Sequence, residues 1–272
     1  MPSIEPFFRE AGRGPAVVCL HANASSSGQW RGLFDELAAT HHVLAPDLYG
    51  AGKSPGWPSD RPVTLDDEVA FIEPVLALAA APLVLVGHSY GAAVALKAAL
   101  RHPARVRALV LYEPTLFSLV DAHQHPPNGA DGIRAVVARM AALLDRGDRD
   151  AAAACFIDFW MGAGSWRQMP APRQAAIADT IVNARHWGHA LFNEATPLAA
   201  FGTLNMPVLF MLGGRSPESA QAVARLLLPV LPRVQLRRFG ELGHMGPVTH
   251  PETVNQAIRG FLQGAPVPSA GS

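Results

Sequence analysis

Gly87-His88-Ser89-Tyr90-Gly91 follows directly on the apolar run Pro82-Leu83-Val84-Leu85-Val86 and leads into the helix-favouring run Ala92 to Leu100. A strand that turns sharply into a helix through Gly-x-Ser-x-Gly lifts a serine hydroxyl out as a nucleophile. The serine of such an elbow takes a strained backbone conformation, and side chains two positions to either side would collide as strand and helix close together, so Gly87 and Gly91 have a steric reason to be there. The motif alone is a common turn; its chemical meaning needs a base within hydrogen-bond reach and an acid that orients the base. His244, in Gly240-Glu241-Leu242-Gly243-His244-Met245-Gly246-Pro247, is the histidine best placed to be that base, because the glycines around it permit a loop that swings the imidazole over the elbow. His41, His42 and His102 flank elements, His250 precedes a proline, and His186 and His189 fall in a helical stretch.

The acid is less plainly marked. Glu113 ends the run Leu109-Val110-Leu111-Tyr112 and so lies at the carboxyl edge of a central strand, where open α/β sheets build their sites. Burying it without a partner would be unfavourable. Glu218, Glu241 or a water in place of the carboxylate are the alternatives.

Short apolar runs alternate with amphipathic ones, the pattern of a parallel sheet covered on both faces. The strands are expected at Ala16 to Leu20, His42 to Ala45, Pro82 to Val86, Val106 to Tyr112, Val208 to Leu212 and Val234 to Arg238. Helices are expected at Gln29 to Ala39, after the elbow, and at Ala257 to Leu262. Between Glu113 and Pro207 the rhythm becomes helical, with runs at Ile133 to Leu144, Ala151 to Trp160 and Arg173 to Trp187. The boundaries that follow are a core of residues 1–114 and 205–264, a helical insertion at 115–204 and a flexible tail at 265–272. The insertion is rich in aromatics, and Trp160, Trp166 and Trp187, with Met245 beside the base, are the residues expected to face a substrate.

At 272 residues and 49% hydrophobic content the chain can bury a full α/β core. Lys+Arg 22 against Asp+Glu 22 leaves no net charge, which recommends neither a nucleic acid nor an anionic membrane surface as partner. A small molecule is the expected partner, and the oligomeric state is left open. The N-terminus lacks a basic segment followed by an apolar run, and no stretch approaches the roughly 20 apolar residues of a membrane span, so a cytoplasmic location is the expectation. Cys19 and Cys155 are expected as free thiols. His123 and His125 lack a carboxylate or cysteine at ligand spacing, so no metal is expected; the loop Asp121 to Asn128 reads as exposed and irregular. Gly52-Lys53-Ser54 is no phosphate-binding loop, since Asp47 stands where its first glycine is needed and Pro55 and Pro58 block the following helix.

Taken together, the elbow, Leu20-His21-Ala22-Asn23-Ala24, Asp47-Leu48-Tyr49-Gly50-Ala51-Gly52-Lys53-Ser54 and Gly243-His244 resemble the α/β-hydrolase superfamily from about Ala16 to about Leu262, with the insertion in the position of its cap. The resemblance implies an eight-stranded, mostly parallel sheet, with the first strands abbreviated by the short N-terminus. It also implies an oxyanion hole formed by the backbone amides of Asn23 and Tyr90, no metal and no organic cofactor. His21-Ala22 replaces the usual His-Gly, and His-x-Asn resembles haloalkane dehalogenases; His21 reads as a support for the loop. Where most relatives carry an aspartate after the strand following the cap, this chain has Ser216, which cannot supply a charge. Some members, a branch of the dehalogenases included, place the acid as Glu113 is placed. A serine nucleophile implies an acyl-enzyme, hence hydrolysis of a small or medium carboxylic ester. Carbon–carbon bond, lactone or thioester hydrolysis is the alternative, and a small-molecule receptor of the same fold is the reading from another class.

Overall fold

Val17, Val18, Cys19 and Leu20 are all fully buried, as are Val84 to Val86 and Ala108 to Tyr112, because parallel strands flanked by helices meet hydrocarbon on both faces. The computed structural model describes residues 4–264. Its strands are β1 (Phe8–Ala11), β2 (Ala16–Leu20), β3 (His42–Pro46), β4 (Leu83–His88), β5 (Val106–Tyr112), β6 (Val208–Gly213) and β7 (Val234–Phe239). They form one seven-stranded sheet in the order β1-β3-β2-β4-β5-β6-β7. β1 runs antiparallel to β3, and every other pairing is parallel.

The helices, in chain order, are α1 (Arg31–Leu37), α2 (Leu65–Leu78), α3 (Tyr90–Arg101), α4 (Phe117–His123), α5 (Asp131–Asp145), α6 (Arg149–Met161), α7 (Ser165–Gln168), α8 (Ala171–Thr180), α9 (Ala184–Phe192), α10 (Glu218–Leu227), α11 (Gly246–Thr249) and α12 (Pro251–Gly264). Alternation along the strands divides the core in two. Val17, Cys19, Val84 and Val86 pack with Leu33, Phe34, Ile258 and Leu262 of α1 and α12 on one face. Val18, Leu20 and Leu85 pack with residues of α2, α3 and α10 on the other, in a cluster that continues into α4 to α9. Cys19 and Cys155 are both free.

The sheet has seven strands where the resemblance implies eight, and its first, β1, has no counterpart among the expected strands. Phe8–Ala11 is only partly buried along its length, so it lacks the apolar run that marks the others. No helix is expected from the sequence between Ala45 and Pro82, where α2 lies. Its start is set by a capping box: Thr64 Oγ1 accepts from the Asp67 amide at 3.2 Å, and Asp67 Oδ2 accepts from the Thr64 amide at 2.9 Å. The stretch expected as a continuous helix over Arg173 to Trp187 is divided into α8, a 3-10 turn at Ile181–Asn183 and α9. The segment expected as loop from Asp121 begins inside α4 instead, which ends at His123. The tail expected at 265–272 lies outside the described residues. Among the described residues no helix is long and apolar enough to cross a membrane, and no group of three or more His, Cys, Asp or Glu could hold a metal.

Candidate active site

β4 pairs with β5 so that His88 lies opposite Tyr112, which sets Ser89 and Glu113 at adjacent strand ends. The Ser89 amide donates to the Tyr112 carbonyl at 2.9 Å, and the Glu113 amide to Met211 at 3.2 Å, so the sheet's own hydrogen bonds reach into the site. Ser89 has φ 56° and ψ −116°, and Glu113 has φ 48°. Non-glycine residues in the left-handed region are strained by about 1–3 kcal/mol each and persist where their surroundings fix them.

The elbow's glycines are explained by contact. A Cβ on Gly87 would lie 2.5 Å from Ala92 Cα, between strand and helix as the sequence suggests. A Cβ on Gly91 would meet something else: the carbonyl oxygens of Leu20 and His21, at 2.3 and 2.5 Å, where α3 lies against the end of β2. Backbone on both sides cannot yield cheaply. Gly91→Ala is therefore expected to lower stability by about 3 kcal/mol, a loss of roughly 10 °C in Tm by calorimetry; an unchanged Tm would show that the contact is not tight.

The loop after β7 brings His244 over the serine. His244 Nε2 lies 2.9 Å from Ser89 Oγ, and Nδ1 lies 2.7 Å from Glu113 Oε2. The other carboxylate oxygen, Oε1, accepts from the Gly213 amide and from Ser216 Oγ, both at 2.6 Å. Ser216 thus supplies a hydrogen bond to the carboxylate that arrives from β5. A charge held by three donors has its lone pairs satisfied although the side chain is fully buried. Glu218 and Glu241, the other carboxylates considered, are exposed and ion-paired with Arg225 and Arg215 respectively.

Two further side chains pin the loop. Tyr112 Oη donates to the Gly243 carbonyl at 2.8 Å, and His88 Nε2 to the His244 carbonyl at 2.8 Å. Burial holds the His88 imidazole well below its ordinary pKa, so it is neutral. With Nε2 protonated, its Nδ1 accepts from Gln29 Nε2 at 3.2 Å, and Gln29 Oε1 accepts from the Ala22 amide at 3.1 Å. The chain of contacts runs from the loop after β2 to the His244 carbonyl. That loop is fixed at its other end by His21, whose Nδ1 meets the Ala22 carbonyl at 2.8 Å while Nε2 accepts from the Leu48 amide at 3.0 Å. Asn23 and Ser89 line one pocket beyond it. Neither Gln29 nor His88 is singled out by the sequence; a polar side chain immediately before Ser89 is the available signal.

Tyr90, the first residue of α3, sends its ring back into the core, where Oη donates to Glu68 Oε1 at 3.0 Å and the Tyr49 amide donates to Oε2 at 3.2 Å. Burial pushes the Glu68 carboxyl from 4.5 up to about 8. Because the folded chain binds this proton more tightly than the unfolded chain does, its stabilising contribution is complete below about pH 4.5 and is lost as pH rises through about 8. Glu68→Gln is expected to melt above wild type at pH 9, the gap closing toward pH 5; a gap independent of pH would contradict this.

Over the serine lies a narrow apolar cleft. Ile133, Val137 and Met140 of α5, Phe156 and Trp160 of α6, and Trp187 and Leu191 of α9 form its walls. Trp160 also stacks on the His244 ring, centroids 3.8 Å apart and planes 26° from parallel. The catalytic candidates are closed off from water: Ser89 is 6% exposed and His244 1%. Of the expected substrate-facing residues, Trp160 and Trp187 line this cleft. Trp166 is buried elsewhere in the insertion, its amide bonded to Asp158, and Met245 lines a separate groove on the far side of Trp160. Periodicity places residues on a helix face but does not say which face meets the sheet edge.

A family model described as alpha/beta hydrolase fold matches residues 15–251. The chain is 27% identical to 2-hydroxymuconate semialdehyde hydrolase of Pseudomonas sp. (strain CF600), across 94% of this chain and 89% of that one. It is 39% identical to a haloalkane dehalogenase of Agrobacterium fabrum over 108 residues, which span 39% of this chain and only 35% of the dehalogenase. Among solved structures, a thermophilic esterase from Thermogutta terrifontis superposes with a TM-score of 0.71 at 25% identity, covering 96% of this chain and 93% of the esterase.

Proposed function

The chain belongs to the α/β-hydrolase family, and we propose on that footing that it is a serine hydrolase that cleaves a small or medium carboxylic ester through an acyl-enzyme. The observation that carries this reading is the continuous line from Ser89 Oγ through His244 to Glu113, at 2.9 and 2.7 Å, at the floor of an apolar cleft.

In the proposed cycle His244 Nε2 takes the proton of Ser89 Oγ as the oxygen attacks the ester carbonyl. Glu113 holds Nδ1–H and so keeps Nε2 free to accept, then stabilises the imidazolium that forms. The amides of Asn23 and Tyr90 meet the oxygen as it becomes an anion, and a donor of this kind is worth roughly 2.7–4 kcal/mol in the transition state. His244 next protonates the departing alkoxide, and water repeats the sequence to release the acid. Residues 115–204 act as a cap whose aromatics hold the acyl chain, with Trp160 over the imidazole excluding water, which strengthens each electrostatic contact beneath it.

A second reading keeps the same residues and changes the bond, to a carbon–carbon bond of a diketone. It is favoured by the relative that matches nearly the whole chain and is named for a semialdehyde rather than for an ester. A panel of p-nitrophenyl and methyl esters, lactones and vinylogous diketones separates the two. The ester reading expects turnover of short and medium acyl esters with an initial burst of alcohol near one per enzyme. Turnover of diketones with none of any ester would replace it by the second reading.

A further inference from the structure

The cleft carries two polar atoms that the proposed cycle does not use. Thr115, two residues past Glu113 on the segment leaving β5, is 1% exposed, lines the cleft, and its hydroxyl has no hydrogen-bond partner among the described residues. Asn23 lines the same cleft, and its buried Oδ1 is likewise without a hydrogen-bond partner among the described residues. The residue serves the cycle through the main-chain amide, so the side chain is left without a task. The unpartnered hydroxyls of Ser118 and Ser219 do not line the cleft. Apart from Thr115, Asn23 and Ser89 the lining is hydrocarbon and aromatic, and none of it is charged.

A buried hydroxyl or amide oxygen that meets nothing is unfavourable, and a bound group that hydrogen-bonds to it relieves that cost. The two atoms set the chemistry of that group. Thr115 can donate or accept, whereas an amide oxygen only accepts. A hydroxyl supplies both a donor and an acceptor, and the uncharged lining requires a neutral group.

We propose that Thr115 is a specificity-determining residue whose hydroxyl, with the Asn23 side chain, selects an acyl group carrying a hydroxyl on an otherwise apolar chain. This rests on the reading above only in taking the cleft as the acyl site. Sites that hydrogen-bond a buried substrate hydroxyl reject analogues lacking it far more strongly than an apolar pocket rejects a missing methylene.

The test uses methyl hexanoate and its hydroxy-substituted counterparts, one position of substitution at a time, bound to Ser89→Ala and read by the change in the protein's tryptophan fluorescence, to which Trp160 and Trp187 of the cleft contribute. At least one hydroxy ester should bind at least about tenfold more tightly than methyl hexanoate. Thr115→Val in the same background should bring that ratio to about one, while Thr115→Ser keeps it. A ratio near one at every position in Ser89→Ala, which needs no change at Thr115 to be read, would overturn the proposal, as would a ratio that survives Thr115→Val. Wild-type turnover of the same esters is scored separately: preferential binding with no hydrolysis would remove the esterase reading and leave the recognition standing.

Discussion

Ser89→Ala is expected to lower kcat for ester hydrolysis by roughly 10⁴–10⁶-fold while leaving KM within a few-fold and Tm within a few degrees. Alanine keeps the Cβ, so the backbone at φ 56° is as strained as before and the elbow is unchanged in shape. What is lost is one oxygen that is hydrogen-bonded to the His244 side chain, at 2.9 Å. The remaining rate should come from the amides of Asn23 and Tyr90, which still polarise a bound carbonyl for attack by water. Steady-state kinetics with calorimetry on the same preparation checks both halves. Retention of a tenth or more of wild-type kcat would mean the chemistry is elsewhere.

Glu113→Gln is expected to lower kcat/KM by about 10³–10⁴-fold with folding intact. Glutamine has the same shape, but its two ends are no longer alike. If its oxygen stays with the Gly213 amide and Ser216 Oγ, its NH₂ faces His244 Nδ1 and drives the proton to Nε2, so the imidazole can no longer accept from the serine. If the amide turns over, NH₂ meets two donors. Neither orientation satisfies the site. Glu218→Gln and Glu241→Gln change exposed ion pairs and should alter the rate by less than about twofold. A Glu113→Gln enzyme with near-normal turnover would remove it as the orienting acid.

Much of this arrangement is legible in the sequence because it is written locally. A buried strand, two glycines around a serine and an alanine-rich helix are consecutive in the chain, and the five strands between β1 and β7 are dominated by apolar residues. β1 escaped because an edge strand with two exposed residues carries no such run. α2 escaped because its capping box uses Asp67 rather than a glutamate and Pro74 interrupts its pattern. The least legible features are coincidences across the fold. Ser216 and Glu113 are 103 positions apart, and His88 and the His244 carbonyl 156, so no spacing rule connects them. The glycine at 91 is visible as a steric need, yet its neighbours are the carbonyls of Leu20 and His21 at the end of β2, far earlier in the chain. The aromatics between residues 115 and 204 could be seen to exceed what packing alone needs; which of them face Ser89 depends on how six helices stack.

The most direct measurement is reaction of the intact protein with a fluorophosphonate, followed by peptide mass spectrometry. A primed serine should give one adduct per chain, on the peptide containing Ser89, and His244→Ala should suppress it, because the oxygen then has no base 2.9 Å away. An adduct on a different residue, or labelling of Ser89 that is indifferent to the loss of His244, would contradict the account.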